Sequence, residues 1–388
     1  MKEDGLTGAD ERDYLLAVYA QTPIEPVRGE GVMLHTRDGR VLLDLYAGHA
    51  VALLGYGHPR LLAALREQAE SLFFQSNVVP LGVRARAGRR LVRFAPAGLD
   101  RAFLVNSGAE ANENALRLAL RHTGRRQVVA VEGAFHGRTA AAAAVSDKSA
   151  AWYSFPQAPF DVRFVPRADL DALAAALDSA PTAALILEPV QGMAGAVALG
   201  RDYLEGARAL TRTRGALLIF DEVQCGMGRT GYPFAAQAYG VTPDIMTTAK
   251  GLAGGFPAGA VLVGEAIAAR LRPGDLGSTF GGGPLACALI EAVITAIEEQ
   301  DLLPRVRALS RRIRETCQVG PVAAIQGEGL LLGLRTTRPA QEVQAELLAR
   351  GIVVGTSADP RIVRLLPPLV IEETHVESLA GALREIRA

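Results

Sequence analysis

The sequence predicts an α/β fold, with a large domain built on a mostly parallel mixed sheet and a smaller α+β domain. Three observations carry this. Short apolar runs alternate with longer helical patterns through the middle of the chain. Near Pro273 the pattern changes to helices followed by isolated strands. The 388 residues also exceed what one hydrophobic core usually organises.

Taken in order, Val32–Leu45 reads as a hairpin about Asp38 and Gly39, within a segment, residues 1–55, expected to pack with the smaller domain. Residues 56–270 form the expected large domain. Its strands are Ala102–Val105, Val128–Val131, Ala184–Leu187, Ala216–Phe220 and Ala260–Val263, each a short apolar run of strand length. Glu110–Arg121 and Tyr203–Arg214 carry helical patterns between them. Residues 271–388 form the expected smaller domain, with helices Ile290–Glu299 and Val306–Val319 and the strand Ile362–Leu366. No internal repeat, low-complexity tract or long linker interrupts this order.

Hydrophobic residues make up 49% of the chain and charged residues 21%, so a substantial core is available. The formal net charge is zero, which favours neither nucleic acid nor an anionic membrane as partner and leaves small molecules as the expected ligands. Met1–Asp10 is acidic and polar and lacks the basic start and apolar stretch of a signal peptide. Cys225, Cys287 and Cys317 are odd in number and widely spaced, fitting neither a disulfide framework nor a zinc cluster. A cytoplasmic enzyme without metal is the expectation. Lysine is scarce, with only Lys2, Lys148 and Lys250.

Asp221, Glu222, Val223 and Gln224 follow a buried strand at its carboxyl end, the edge where open α/β sheets bind ligands. Alternation points Asp221 and Val223 to one side, an acid and an apolar contact for one flat ring. A carboxylate beside a pyridine nitrogen favours its protonated form, and Gln224 is placed to hold a ring oxygen. Taken alone, the acidic pair reads equally as a metal ligand set or a helix cap. Lys250 lies between an apolar strand and the glycine-rich Gly251–Pro257, where a desolvated amine becomes a nucleophile and proton carrier. A phosphate anchor or a surface lysine are its plainer readings.

Asn106-Ser107-Gly108-Ala109-Glu110 joins a strand to a helix, with Ser107 as N-cap and free N–H groups suited to phosphate. An ordinary capped helix explains it as well. Phe135-His136-Gly137-Arg138 offers an aromatic face and an arginine suited to a carboxylate. Gly277–Pro284 is a second glycine-rich loop, carrying Ser278 and Thr279. Arg364, inside an apolar strand, calls for an anionic partner, ordinarily a structural salt bridge.

Together these segments resemble the class III aminotransferases of fold type I, most closely the acetylornithine aminotransferase family. The likeness runs from about Gly31 to Leu369 through Asn106–Asn112, Phe135–Arg138, Asp221–Gln224, Ala249–Leu252 and Gly277–Gly282 in order and spacing. It implies that Lys250 holds pyridoxal 5′-phosphate as a Schiff base, that Asp221 pairs with the ring nitrogen and that Gln224 contacts the ring oxygen. Phe135 and Val223 would sandwich the ring. Ser107, Gly108 and Ala109 would cradle the phosphate, with Thr279 reaching it from the second subunit of a homodimer. Arg138, with Ser278 nearby, would take the α-carboxylate of acylated ornithine, and Arg364 that of glutamate or 2-oxoglutarate. The implied reaction moves the δ-amine of N2-acetylornithine to 2-oxoglutarate by ping-pong chemistry, in arginine biosynthesis.

Three positions depart from the family. Met193 stands where most members carry the glutamate that neutralises the arginine matching Arg364. Cys225 replaces a threonine, placing a thiol beside the cofactor, and Gly283 replaces a common asparagine. Met193 opens other donors, namely ornithine, 4-aminobutyrate, an acyl-lysine or an amino acid seated on Arg364. A mutase acting within one molecule and a non-enzymatic cofactor-binding protein are the remaining readings.

Overall fold

A computed structural model of the chain describes residues 7–151 and 153–388. Met1–Leu6, with Lys2, lie outside the described residues.

The middle of the chain builds a seven-stranded sheet in the order Arg101–Val105, Gly259–Val263, Ile245–Thr248, Leu217–Asp221, Thr182–Leu187, Gln127–Val131, Asp161–Val165. Gly259–Val263 runs antiparallel to both neighbours and the remaining pairs are parallel. Every strand expected from an apolar run is present. Asp161–Val165 goes beyond that expectation, because its exposed Asp161 and Arg163 alternate with half-buried Val162 and Phe164, the pattern of an edge strand. Ile245–Thr248 is buried throughout. Side chains of Val128–Val131, Ala183–Leu187 and Leu218–Phe220 fill the core on both faces of the sheet.

This topology decides where chemistry sits. Val105, Val131, Leu187, Asp221 and Thr248 end parallel strands, so the segments that follow them meet at one sheet edge.

The helix Pro284–Glu299 starts with proline in its first turn and buries most of its length. It packs against helices Pro59–Ser71 and Gly82–Phe94 rather than against the C-terminal strands. Gly283 is its N-cap, a position where glycine loses only a few tenths of a kcal/mol to asparagine.

Beyond it lies an antiparallel sheet in the order Val322–Glu328, Leu331–Thr336, Ile362–Leu365, Gly355–Thr356. The N-terminal strands Pro26–Glu30, Met33–Thr36 and Val41–Asp44 form a meander that includes the expected hairpin. Ile352–Val353 completes their sheet, parallel to Val41–Asp44.

Immediately after that strand the chain makes a left-handed turn, with φ of 49°, 55°, 64° and 69° at Ala47, Gly48, His49 and Ala50. Left-handed backbone costs about 1–2 kcal/mol per residue other than glycine, so three such residues need support. Asp44 supplies it, with Oδ1 accepting from the N–H groups of Tyr46 (2.8 Å) and Ala47 (2.9 Å) and Oδ2 accepting from Tyr56 Oη. Among the described residues no helix is long and apolar enough to cross a membrane.

Candidate active site

Asp221 is the fixed point of the sheet edge. It is buried, and Oδ2 accepts from Asn112 Nδ2 and His136 Nδ1, each at 2.7 Å, while Oδ1 accepts from Val223 N at 3.0 Å. Asn112 is held in turn, receiving Thr247 Oγ1 at 2.7 Å and donating to His136 O at 2.7 Å. A carboxylate has about four lone-pair sites, so these three bonds leave one for a ligand. Glu222 faces the other way. Its oxygens accept from Ala235 N and Ala236 N at the start of the helix Ala235–Tyr239, and burial pushes its pKa up to about 7. The acidic pair therefore divides: Asp221 serves the site and Glu222 anchors a helix.

Lys250 follows the strand Ile245–Thr248 with a positive φ of 48°. Burial lowers its pKa, opposed by the negative charges of Asp221 and Glu188 and reinforced by the positive charge of Arg364. Half-buried among these charges, Lys250 is not a freely solvated surface lysine. Glu188 is buried, accepting from Phe135 N (2.9 Å) and Gly192 N (3.1 Å), and burial followed by the charge of Asp221 raises its pKa to about 7.

The helix Gly108–Thr123 starts as the sequence predicts, with Ser107 Oγ accepting from Glu110 N at 3.1 Å. Its first N–H groups, including those of Gly108 and Ala109, have no partner within the helix by construction. Backbone and ring wall approach closely here: a Cβ on Gly108 would lie 2.7 Å from a Val223 methyl, and one on Gly137 would lie 2.7 Å from Ala109 Cβ. An anion-binding helix start, a residual acceptor site on Asp221 and a desolvated lysine thus converge, which fits the pyridoxal phosphate that the resemblance implies.

Arg364 is 2% exposed and is hydrogen-bonded to no carboxylate among the described residues, although the negative charge of Glu188 acts on it and partly offsets its burial. Its Nε donates to Thr356 O (2.6 Å), Nη1 to Gly192 O (3.3 Å) and Nη2 to Tyr46 Oη (2.7 Å), all neutral acceptors. The structural salt bridge that ordinarily explains such an arginine is absent, and burial lowers its pKa. Gly192 also touches Gln224, since a Cβ there would collide with Gln224 Oε1. Gln224 Nε2 faces His49 O at 3.4 Å.

Arg138 and Thr279 are exposed in the single chain. Ser278 Oγ donates to Glu110 Oε1 (2.9 Å) and accepts from Asn106 Nδ2 (3.1 Å), so within one chain it ties its loop to the start of the Gly108–Thr123 helix. Cys225 is buried and donates to Glu222 Oε2 at 3.5 Å. Burial raises its thiol pKa well above the usual range, which suppresses the thiolate.

Asn112, His136, Thr247, Tyr46 and His49 join the site without having been singled out by the sequence. Asn112 and His136 lie inside quoted motifs, and four-residue spacing puts Asn112 on the same helix face as Gly108.

Residues 16–386 match the family described as aminotransferase class-III. The chain is 37% identical over 387 residues to the acetylornithine aminotransferase of Methanocaldococcus jannaschii, covering 97% of this chain and 96% of that protein. It is 40% identical to the succinylornithine transaminase/acetylornithine aminotransferase of Pseudomonas aeruginosa, covering 95% of this chain and 94% of that one. Among solved structures, the ornithine aminotransferase of Toxoplasma gondii, described with partial occupancy of pyridoxal phosphate at its active site, superposes with a TM-score of 0.91 at 31% identity, covering 97% of this chain and 92% of that one.

Proposed function

This chain belongs to the class-III aminotransferases, and from that premise we propose that it transfers the δ-amino group of N2-acetylornithine to 2-oxoglutarate, in arginine biosynthesis. It is a pyridoxal-phosphate-dependent enzyme. The observation that carries the reading is the convergence of Lys250, Asp221 and the Gly108 helix start at one sheet edge, opposite an arginine that is hydrogen-bonded to no carboxylate among the described residues.

When bound, pyridoxal phosphate supplies an aldehyde carbon that accepts the amine and a ring that withdraws electrons. Asp221, fixed by Asn112 and His136, keeps a proton on the ring nitrogen through its remaining acceptor site. Val223 and Phe135 would flank the ring and Gln224 would hold its oxygen. Ser107, Gly108 and Ala109 hold the phosphate. Lys250 Nζ, its pKa lowered by burial, is more readily unprotonated than a surface lysine, so it acts as nucleophile and then carries a proton from the donor carbon. Arg138 and Ser278 receive the carboxylate of the acylated donor. Arg364 receives that of 2-oxoglutarate, and the same Lys250 proton transfers run in reverse, giving ping-pong kinetics.

In this reading the enzyme works as a homodimer, with Thr279 serving the neighbouring subunit. Supporting this, Leu72, Phe73, Phe74, Val78, Val79 and Phe280 are exposed beside Thr279. Phe74 and Phe280 rings lie 5.4 Å apart, and Asn77 ties the segment to the loop through Ser278 O and Gly281 O. In this reading residues 1–55 pack with a C-terminal domain, 271–388, and residues 56–270 form the cofactor domain, bridged by Pro284–Glu299. A cytoplasmic location accords with three buried free cysteines.

Met193 motivates a second reading in which the donor is another amine, such as ornithine, 4-aminobutyrate or an acyl-lysine, or an amino acid whose own carboxylate sits on Arg364. One experiment separates the two: holoenzyme is mixed with N2-acetylornithine alone and its visible cofactor band is followed. Rapid loss, restored by 2-oxoglutarate, is the expected result. A band that acetylornithine leaves unchanged while ornithine, 4-aminobutyrate or an acyl-lysine bleaches it moves the donor, and product formed without any acceptor indicates a mutase.

A further inference from the structure

The cleft contains a hydrogen-bonded relay that the chemistry above does not use. Arg364 Nη2 donates to Tyr46 Oη at 2.7 Å, and Tyr46 Oη lies 2.8 Å from His49 Nδ1. A guanidinium only donates, so Tyr46 Oη accepts on that side, and His49 Nδ1 is the one acceptor that the described residues offer its own proton. An imidazole that accepts at Nδ1 is neutral and carries its proton on Nε2. The relay therefore assigns the tautomer and leaves Nε2–H as a donor on a ring still exposed to solvent.

The left-handed turn holds this ring in place. His49 has φ of 64°, a conformation that histidine enters more readily than most residues, and its ring meets that of Tyr46 at 4.8 Å between centroids. Partial burial, followed by the positive charges of Arg364 and Lys250, lowers its pKa, in keeping with the neutral tautomer. Both of those charges belong to the reaction, so His49 lies near the reacting groups.

Arg364 keeps donors for a ligand. Each of its nitrogens uses one N–H, on Thr356 O, Gly192 O and Tyr46 Oη. A guanidinium has five N–H donors, so two remain, one on each terminal nitrogen, available to a carboxylate. A carboxylate gripped in this way keeps lone pairs for a further donor.

We propose that His49 is a substrate-binding residue whose Nε2–H donates to the carboxylate seated on Arg364, making a two-donor pocket for a dicarboxylic 2-oxo acid. The inference rests on the reading of Arg364 as the oxo-acid anchor. It gives the pocket a neutral donor that Met193 does not supply, and one that an acylated donor bound through Arg138 does not need.

The test compares the wild-type holoenzyme with His49→Phe, which has no ring nitrogen, and His49→Gln, whose amide accepts from Tyr46 and still donates. Binding of glutarate, an unreactive dicarboxylate, is measured by calorimetry, and the two half-reactions are timed separately. Phenylalanine should weaken glutarate about ten-fold and raise the KM for 2-oxoglutarate in proportion, while the half-reaction with N2-acetylornithine is unchanged; glutamine should recover most of the loss. Unchanged glutarate affinity in His49→Phe, or an equal loss in both half-reactions that glutamine does not recover, would overturn the proposal. A wild-type enzyme whose amine form ignores 2-oxoglutarate would overturn the Arg364 reading itself.

Discussion

Met193→Glu puts an acid in the segment that binds Arg364, a guanidinium hydrogen-bonded to no carboxylate among the described residues. Arg364 is bonded to Thr356 O, Gly192 O and Tyr46 Oη, and position 193 directly follows the glycine whose carbonyl accepts from Nη1 at 3.3 Å. A carboxylate brought within about 4 Å of that charge gains roughly 4 kcal/mol at an effective dielectric constant of about 20. Desolvation takes back part of this, leaving about 1.5–3 kcal/mol, as for hydrogen bonds to charged groups. An incoming oxo-acid carboxylate must displace that interaction, so its KM should rise about ten- to hundred-fold. A donor that presents only an ω-amine puts no carboxylate on Arg364, so its kcat/KM should hold or improve. Stopped-flow half-reactions with N2-acetylornithine and with 2-oxoglutarate read the two effects apart. Unchanged constants on both sides would refute the argument that Arg364 lacks a bonded carboxylate which this position is able to supply.

Asn112→Ala removes a donor to Asp221 and leaves Thr247 Oγ1 without its acceptor, so it should cost about 2–4 kcal/mol of stability and weaken pyridoxal phosphate binding at least ten-fold. An unaltered melting temperature and cofactor Kd would show that Asp221 does not depend on it. Gly108→Ala brings a methyl to 2.7 and 2.9 Å from the Val223 methyls, and overpacking of about 1–3 kcal/mol should raise the cofactor Kd without changing the circular dichroism of the apo chain. Full cofactor affinity in that variant would mean the ring wall yields freely. Glu222 has a pKa near 4.5 when unfolded and about 7 when buried, so between those values the folded state retains a proton that the unfolded state has released. Its contribution to stability must fall as pH rises through that window and level off above it. Glu222→Gln does not titrate, so wild-type minus variant unfolding free energy should decline from pH 4.5 to 7, and a difference independent of pH would contradict the buried charge.

The legible part of this protein is the part whose physics is local. Apolar runs announce strands, Ser107 and Glu110 announce a helix start, and a strand-end Asp221 and a rare Lys250 announce chemistry because each is expensive to bury without purpose. What stayed hidden depends on contacts between distant segments. Asn112 reads as one more polar helix residue until the sheet brings Asp221 and Thr247 to it. Glu222 looks interchangeable with Asp221 until the Ala235–Tyr239 helix claims it. Tyr46 and His49 belong to a turn whose positive φ values fall mostly on residues other than glycine, so no composition cue marks it. Arg364 was conspicuous as a buried charge, but only the structure shows that each of its bonded acceptors is neutral.

The strand order also sets a timetable for synthesis. Arg101–Val105, which leads into the phosphate-binding helix start, pairs in the sheet with Gly259–Val263, so it has no strand neighbour until the ribosome has passed residue 263. Val41–Asp44 gains its parallel partner, Ile352–Val353, later still. Asp44, the support of the left-handed turn, ends that early strand, so the pocket around Tyr46 and His49 is among the last parts of the molecule to be completed. A nascent chain stalled before residue 352 would carry Lys250 and Asp221 and still lack the oxo-acid side of its cleft.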